Sequence, residues 1–349
     1  MTPVRSHTTV LFWLAALVAV AAAAFMFYRS RQRPAPPPPA PPPPRAAAPS
    51  NQVDDPLAPG RPATLDPTRP AASGDWVSAH PGFQYSRPSS ERGGANPCAL
   101  PLGDTSAFAP WTNLSKGRVT LPVAGGVDDQ GGFDLVLHFH GDELARRELA
   151  ASGQRFVLYG LTLDASQSYA GLFAGSKFFA AIVHEVEQVV GRTHGGNAHV
   201  RHLGVSAWSA GYMAVLSILA QPEAKATDAV ILIDGLHGPR GHLEQPLATF
   251  VDFAKRAEAG ERLMIITHSS IDPPDFASTT EAAHYMLSAL GEKPIAVRRE
   301  DRYGLELIEY FSKGDFHVRG YAGNDKADHC AQVTLLRDAY AAVGRRWQR

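Results

Sequence analysis

The sequence has little cysteine and no cluster of basic residues. Two cysteines, Cys98 and Cys330, occur in 349 residues, so one long-range bridge and two free thiols are both open. The first 95 residues lack lysine and carry nine arginines and five acidic residues, a balance of +4. Because the whole chain has a formal net charge of −1, the remainder carries −5. A mildly acidic domain without a basic block argues against nucleic acid as the main partner.

Several ligand-binding patterns are also missing. The sequence contains no C-x-x-C pair, no H-E-x-x-H helix motif and no glycine-rich loop typical of nucleotide binding. No basic cluster indicates recognition of phosphate or sulfate. We therefore expect no cofactor and no metal ion in the functional site.

An apolar N-terminal run is present. Val10–Tyr28 is uninterrupted over 19 residues, long enough to cross a bilayer as a helix, and three arginines follow closely. A cleavable signal peptide ending near Ala22-x-Ala24 is the alternative. The length of the run and the arginines behind it favour an uncleaved single-pass anchor in residues 1–29.

A proline-rich segment follows the anchor. Pro34–Pro44 contains nine prolines in eleven residues, which favours an extended polyproline II spacer, and residues 30–96 are predicted to be a disordered linker. The arginines after the span would keep the rest of the chain cytoplasmic by the positive-inside rule. A long tether behind an anchor is more typical of an exported domain. We therefore expect the domain on the extracytoplasmic, periplasmic side, with the cytoplasmic side as the alternative.

Residues 97–349 have the pattern of one α/β domain. Apolar runs of strand length recur at Arg118–Val123, Phe133–His140, Arg155–Leu163, His199–Ser206, Asp228–Ile233 and Arg262–Thr267. Helical patterns lie between or after them at Ala170–Val190, Tyr212–Gln221, Leu247–Ala259 and Ala331–Trp347. Near the end, Leu305–Phe311 and Asp315–Tyr321 flank a turn and predict an antiparallel hairpin. The alternation predicts a three-layer α/β sandwich with a mainly parallel central sheet.

The segment Ala207–Gly211 reads Ala-Trp-Ser-Ala-Gly, after an apolar run and before a helical pattern. This layout resembles the nucleophile elbow of α/β-hydrolases, in which a sharp turn lifts a serine above the sheet edge. Ala207 and Gly211 provide the small side chains that so tight a turn requires. Ser209 is then the candidate nucleophile, and the backbone N–H of Ala210 is a candidate oxyanion donor. The alternative is a serine in an ordinary strand-to-helix connection.

A second informative segment is the apolar strand that ends in His140-Gly141-Asp142. In α/β-hydrolases the loop after this strand supplies the other half of the oxyanion hole. The backbone N–H groups of Gly141 and Asp142 are the candidates, and His140 is interpreted as a histidine that braces the loop.

The base and the acid are sought later in the chain, because α/β-hydrolases have the order serine, acid, histidine. His329, in a polar loop before the last helix, is the preferred base, with His317 as second choice. Asp234, at a strand end, is the preferred acid, and Asp272, one strand later, is the alternative. Tyr169 lies where a substrate-binding loop is expected, although packing is its simpler role.

These motifs together resemble the α/β-hydrolase superfamily, and more narrowly a little-characterised bacterial group within it. The segments that carry the resemblance are His138–Gly141, Ser209–Tyr212, Asp234–His237, Ala277–Glu281 and Ala322–His329. The resemblance covers about residues 133–345 and departs at Ala207, where the elbow usually has glycine. It implies a serine hydrolase without a cofactor, and no substrate carries over from it. For such a hydrolase we expect a small-molecule or envelope-derived ester or amide as substrate.

Two rival interpretations remain open. His138 and His140 at one strand end, with His237, His242, His268 or His284, would suit a metallohydrolase. The second rival is a domain with the same fold that binds envelope polymers or partner proteins without catalysis.

Overall fold

The computed structural model describes Cys98 and residues 100–323 and 325–349. The predicted anchor Val10–Tyr28 and the proline-rich linker lie outside these residues. Within the described ranges, no helix combines the length and the apolar character needed to cross a bilayer.

The centre of the domain is a ten-stranded mixed sheet. Its strands are β1 Thr112–Asn113, β2 Arg118–Thr120, β3 Gly132–Phe139, β4 Val157–Leu161, β5 His199–Trp208, β6 Thr227–Ile233, β7 Leu263–His268, β8 Ile295–Glu300, β9 Glu306–Lys313 and β10 Phe316–Tyr321. The spatial order is β1-β2-β4-β3-β5-β6-β7-β10-β9-β8. The pairings from β4 across to β10 are parallel. Those of β1, β2, β8 and β9 are antiparallel. The prediction of a mainly parallel sheet is confirmed.

Helices cover both faces of the sheet. They are α1 Asp142–Ser152, α2 Ser166–Leu172, α3 Ser176–His194, α4 Tyr212–Leu219, α5 Glu244–Glu258, α6 Thr279–Ala289, α7 Lys326–Ala331 and α8 Leu336–Trp347. One apolar core lies between the sheet and α3 to α6, and a second lies between the sheet and α1 and α8. Along β3, Leu135 and Leu137 belong to the first core and Val136 to the second. A strand buried on both faces reads as a continuous apolar run, which is why the sequence indicated it.

The structure differs from the sequence predictions at several elements. The polar segment expected to be a loop after His140 is helix α1, and the predicted helix Ala170–Val190 is divided between α2 and α3. Strand β8 was not predicted, because its residues are exposed or half-buried at the sheet edge and lack an apolar pattern. The predicted hairpin is confirmed, since β9 and β10 pair antiparallel beside the turn.

Cys98 and Cys330 form a disulfide that joins positions 232 residues apart. Of the two alternatives that the sequence left open, the structure contains the bridge. It ties the start of the described chain to α7, and Cys330 directly follows His329 in that helix.

Candidate active site

Three adjacent parallel strands, β3, β5 and β6, end in strained backbone. His140, Ser209 and Asp234 directly follow these strands, with φ angles of 73°, 52° and 41°. Among the described residues they are the non-glycine residues with positive φ. Such conformations cost about 1–3 kcal/mol each and concentrate at functional sites. The strain therefore marks the carboxyl edge of the central strands as the candidate active site.

Ser209 occupies a turn that only small residues allow. It opens a short 3₁₀ turn, Ser209–Gly211, which continues directly into α4. A Cβ atom on Gly211 would lie 2.1 Å from the carbonyl oxygen of Phe139, so this position requires glycine. Ala207, the departure from the usual elbow, is fully buried in β5 beside Phe139 and Leu232. The packed sheet thus accommodates a methyl group there.

Asp234 and His329 are in direct contact. His329 Nδ1 donates a hydrogen bond of 2.7 Å to Asp234 Oδ2. The other carboxylate oxygen accepts from the backbone N–H of Ser269 at 2.8 Å and from the hydroxyl of Thr279 at 2.7 Å. The carboxylate is buried, with 1% of the residue exposed, and both oxygens are bonded. This arrangement fixes the tautomer of His329 and leaves its Nε2 as the proton acceptor.

The hydrogen bonds keep Asp234 ionised. Burial alone would raise the pKa of its carboxyl group. The bonds and charge of His329, with the donors from Thr279 and Ser269, outweigh burial and lower the pKa below its usual value. Asp234 is therefore a carboxylate at neutral pH, and such a charge can stabilise an imidazolium on His329.

His329 lies in a helix, whereas the sequence predicted a loop. Asp325 caps α7 by accepting from the backbone N–H groups of Ala327 and Asp328, and Asp328 accepts from that of Asp325. This reciprocal capping box stabilises a helix of only six residues.

Trp208, the residue before Ser209, contacts His329. Its indole stacks on the His329 ring with centroids 5.0 Å apart and an interplanar angle of 25°. The indole N–H also donates to the backbone carbonyl of His329 at 3.3 Å. Sequence reasoning missed the role of Trp208, although its position directly before Ser209 was a signal.

No hydrogen bond joins Ser209 to the His329 ring among the described residues. Bonds of this type are often long without substrate and shorten in the reacting complex. Trp208, which stacks on the His329 ring, directly precedes Ser209 in the chain. Ser209 and His329 are therefore near neighbours in the structure.

The two backbone N–H groups expected to complete the oxyanion hole have a hydrogen-bond partner in this structure. The backbone N–H groups of Gly141 and Asp142 both donate to the hydroxyl oxygen of Thr162, at 3.0 and 3.3 Å. That hydroxyl in turn donates to the Asp142 carboxylate at 2.7 Å. Thr162 follows β4, the parallel neighbour of β3, and so reaches the loop from the side. In this structure the two N–H groups brace the loop, and Ala210, in the first helical turn after Ser209, remains the candidate donor.

His140 and Tyr169 both contact the backbone of Leu163, in the loop after β4. His140 Nδ1 donates to the carbonyl of Leu163 at 3.1 Å, and the Tyr169 hydroxyl accepts from the Leu163 N–H at 2.7 Å. Burial and the charge of His329 lower the pKa of His140, so it is neutral at pH 7. Burial raises the pKa of Tyr169 to about 12, and its ring is fully buried. These contacts give both residues a supporting role.

The alternative acid and base lie in other environments. The Asp272 side chain is 74% exposed and pairs with Arg240 at 2.6 Å. His317 is buried in β10 and contacts the Ser312 hydroxyl at 2.8 Å. Neither residue shares the contacts of the Asp234–His329 pair.

The metallohydrolase alternative required His138 and His140 to share a metal ion. His138 is fully buried, and its two ring nitrogens contact the Ser206 hydroxyl and the backbone carbonyl of His140 at 2.8 and 2.9 Å. Both ring nitrogens of His138 are therefore engaged in hydrogen bonds within the sheet in this structure.

Comparisons with known proteins concern the fold. An enterochelin esterase from Shigella flexneri is 14% identical, with a TM-score of 0.39, over 64% of this chain and 54% of that one. An S-formylglutathione hydrolase from Agrobacterium tumefaciens is 10% identical, with a TM-score of 0.35, over 68% of this chain and 98% of that one. A carboxylesterase from Bacillus subtilis is 10% identical, with a TM-score of 0.27, over 52% and 79%.

This chain spans about half the length of the enterochelin esterase. No protein-family model matches the sequence, and no curated protein matches it. The similarity to these esterases is thus structural and at low sequence identity.

Thr279 and Ser269 were also missed as site residues. Ser278 and Glu281 form a capping box at the start of α6. The next residue after the cap, Thr279, then reaches Asp234. Its contact depends on how α6 packs beside β6, which a local pattern does not give.

Proposed function

We propose that residues 97–349 form a serine hydrolase domain that cleaves esters. Ser209 is the nucleophile, His329 the general base and Asp234 the carboxylate that orients it. The observation that carries the proposal is the buried 2.7 Å contact between Asp234 and His329, whose ring stacks on the residue before a strained serine.

The first step is attack on the ester carbonyl. His329 Nε2 accepts the proton of the Ser209 hydroxyl as the oxygen bonds to the carbonyl carbon. The resulting imidazolium is stabilised by Asp234, which remains ionised. Negative charge develops on the substrate oxygen, and the backbone N–H of Ala210 and the N-terminus of α4 face that charge.

The second step releases the alcohol and then the acid. His329 returns its proton to the departing alkoxide, which leaves an acyl group on Ser209. Water then attacks the acyl carbon while His329 accepts its proton. As the bond between the acyl carbon and Ser209 Oγ breaks, His329 returns that proton to Oγ, and the carboxylic acid departs. Every bond and proton is accounted for without a cofactor.

The side chains around the strand ends favour a substrate with an apolar part. The His237 ring packs edge to face against Tyr212 and Phe276, with ring centroids 5.7 Å and 4.9 Å apart. Tyr212 follows β5, His237 follows β6 and Phe276 follows β7. Burial lowers the pKa of His237, so it is neutral at pH 7. Phe276 is 41% exposed and offers an apolar edge to a ligand. A small neutral ester suits this surface better than a charged one.

Labelling with a fluorophosphonate probe tests the proposal without knowledge of the substrate. The wild-type chain is expected to be labelled, and Ser209→Ala is expected to lose the label. Ser217→Ala is the matched control, because that hydroxyl donates to a backbone carbonyl inside α4. If the folded wild-type chain is not labelled, the domain is a binding module and the hydrolase proposal is wrong.

We also propose that the domain is held outside the cytoplasm by the N-terminal run Val10–Tyr28. The Cys98–Cys330 disulfide supports this side, since such bridges persist mainly in oxidising compartments. Reporter proteins fused after Pro44 would decide the side. A reporter active only in the cytoplasm would overturn the proposal.

A further inference from the structure

A second cluster of polar side chains begins at β7, the strand beside the one that Asp234 follows. His268 ends β7, Gly320 is its partner on β10, and Glu309 on β9 is the next residue across the sheet. A Cβ on Gly320 would lie 2.4 Å from the His268 ring and 2.6 Å from Glu309 Cγ. Because Gly320 has no side chain, the His268 and Glu309 side chains approach each other across it. His268 Nε2 lies 3.0 Å from Glu309 Oε1.

The hydrogen bonds of Thr280 fix the tautomer of His268. The Thr280 hydroxyl donates its single proton to the backbone carbonyl of Ser269 at 2.7 Å. It must therefore accept from His268 Nδ1, which lies 2.9 Å away. In neutral His268 the proton is on Nδ1, and the lone pair of Nε2 faces the Glu309 carboxylate.

A lone pair that faces a carboxylate is repelled by it, and a cation between the two groups would remove this repulsion. His268 is fully buried, and among the described residues its Nε2 has no hydrogen-bond partner, although Glu309 Oε1 lies 3.0 Å away. A metal ion displaced from the line between the two atoms would satisfy both.

His284 supplies a third donor from α6. Its Nε2 lies 2.5 Å from Glu309 Oε1 and donates a hydrogen bond to it, which a bound metal ion would replace. Its ring is edge to face with that of His268, with centroids 5.9 Å apart. The three donor atoms all lie within 4.8 Å of one another. The His284 side chain is 44% exposed, so the cluster opens to solvent on this side.

We propose that His268, His284 and Glu309 bind one divalent transition-metal ion, with zinc the best match. Two imidazoles and one carboxylate are ligands that zinc takes in protein sites at about 2.0–2.2 Å, and a solvent water completes a tetrahedral set. Small outward movements of His284 and Glu309 would give the separations that this coordination needs. Thr280 acts as the positioning residue that holds the Nδ1 proton of His268.

The proposed ion would stabilise the residues that hold Asp234 in position, without contacting the reacting atoms. Ser269 follows His268 in the chain and donates to Asp234, and Thr279 precedes Thr280 and does the same. Each donor to Asp234 is therefore adjacent in sequence to a residue of the cluster. Ser269 is next to His268, and Thr279 is next to Thr280. This site is distinct from the His138–His140 pair considered above.

Zinc binding to the full-length chain tests the site directly. The chain carries no polyhistidine tag, is stripped with a chelator and is then titrated with zinc chloride by calorimetry. One ion per chain is expected. His284→Ala and Glu309→Gln are expected to weaken binding by at least about 100-fold, and Thr280→Val by about 10–100-fold. His194→Ala is the matched control, because that histidine is exposed at the end of α3.

Two further measurements separate ligation from misfolding and from catalysis. Cobalt in place of zinc is expected to give the visible spectrum of a tetrahedral site with nitrogen and oxygen ligands, which Glu309→Gln should alter. Ser209→Ala is expected to bind zinc like the wild type, whatever its activity. Absence of zinc binding, or equal affinity in the wild type, His284→Ala and Glu309→Gln, would overturn the proposal.

Discussion

Trp208 and His329 stack with their rings 5.0 Å apart, and the indole N–H donates to the backbone carbonyl of the histidine. Trp208 ends β5 directly before Ser209, and His329 lies in α7, 121 positions further along the chain. The contact couples the position of the proposed base to that of the proposed nucleophile. Any change that moves the indole is therefore expected to affect catalysis.

Gly141→Ala tests this coupling. A Cβ at Gly141 would lie 2.8 Å from Trp208 Cε3, so the indole must shift and carry the His329 ring with it. We expect kcat/KM on a simple aryl ester to fall at least about tenfold, as small displacements of catalytic groups cost this much or more. Gly125→Ala is the control, because its φ of 71° gives similar strain while the space around it is open.

The control variant should lose about 1–2 kcal/mol of unfolding free energy and keep its kcat. If Gly141→Ala lowers the unfolding free energy but leaves kcat/KM unchanged, as expected for Gly125→Ala, the Trp208 contact does not position the proposed base.

Asp234→Asn is expected to reduce kcat by about 10²–10⁴, with little change in KM. An amide in place of the carboxylate loses the charge that stabilises the imidazolium and favours the wrong histidine tautomer. Asp272→Asn should leave kcat unchanged, because that carboxylate pairs with Arg240 at the surface. Steady-state kinetics of the two variants decide the assignment. The reverse result would move the acid to Asp272.

Asp234 should also make the stability of the domain depend on pH. Its pKa in the folded state is lowered, so its contribution is fully present above the unfolded pKa of about 3.9 and is lost as pH falls through the folded value. Urea unfolding of the wild type should therefore show a falling free energy below about pH 5. In Asp234→Asn this part of the decline should be absent. Parallel curves for the two proteins would contradict the lowered pKa.

The sequence predicted the parallel strands well because they are buried on both faces and read as apolar runs. Helix α1 was interpreted as a loop because its residues are largely polar, yet Leu144 and Leu149 pack in the second core. Edge strand β8 has no apolar face that a periodic pattern could show. Local patterns therefore predicted the centre of the sheet and not its margins.

The order serine, acid, histidine was also predicted, and Asp234 and His329 are in contact, although their catalytic roles stay a prediction. The contact of His268 with Glu309 could not be predicted, since it depends on β10 lying between β7 and β9. A hairpin pattern shows that β9 and β10 pair. It does not show which of the two strands joins the parallel sheet, because that choice depends on packing across the whole sheet.

The Cys98–Cys330 disulfide is expected to contribute to both stability and activity. It closes a loop of 232 residues, so a chain-entropy argument gives at most about 5 kcal/mol of stabilisation. Cys330 is fully buried and follows His329, so loss of the bridge should also loosen α7 and lower kcat/KM. Replacing both cysteines by serine should lower the urea midpoint, and a reducing agent should have the same effect on the wild type and none on the double variant. If reduction leaves the wild-type midpoint unchanged, the two cysteines are not bridged in solution, and the support that the disulfide gives to an oxidising compartment is withdrawn.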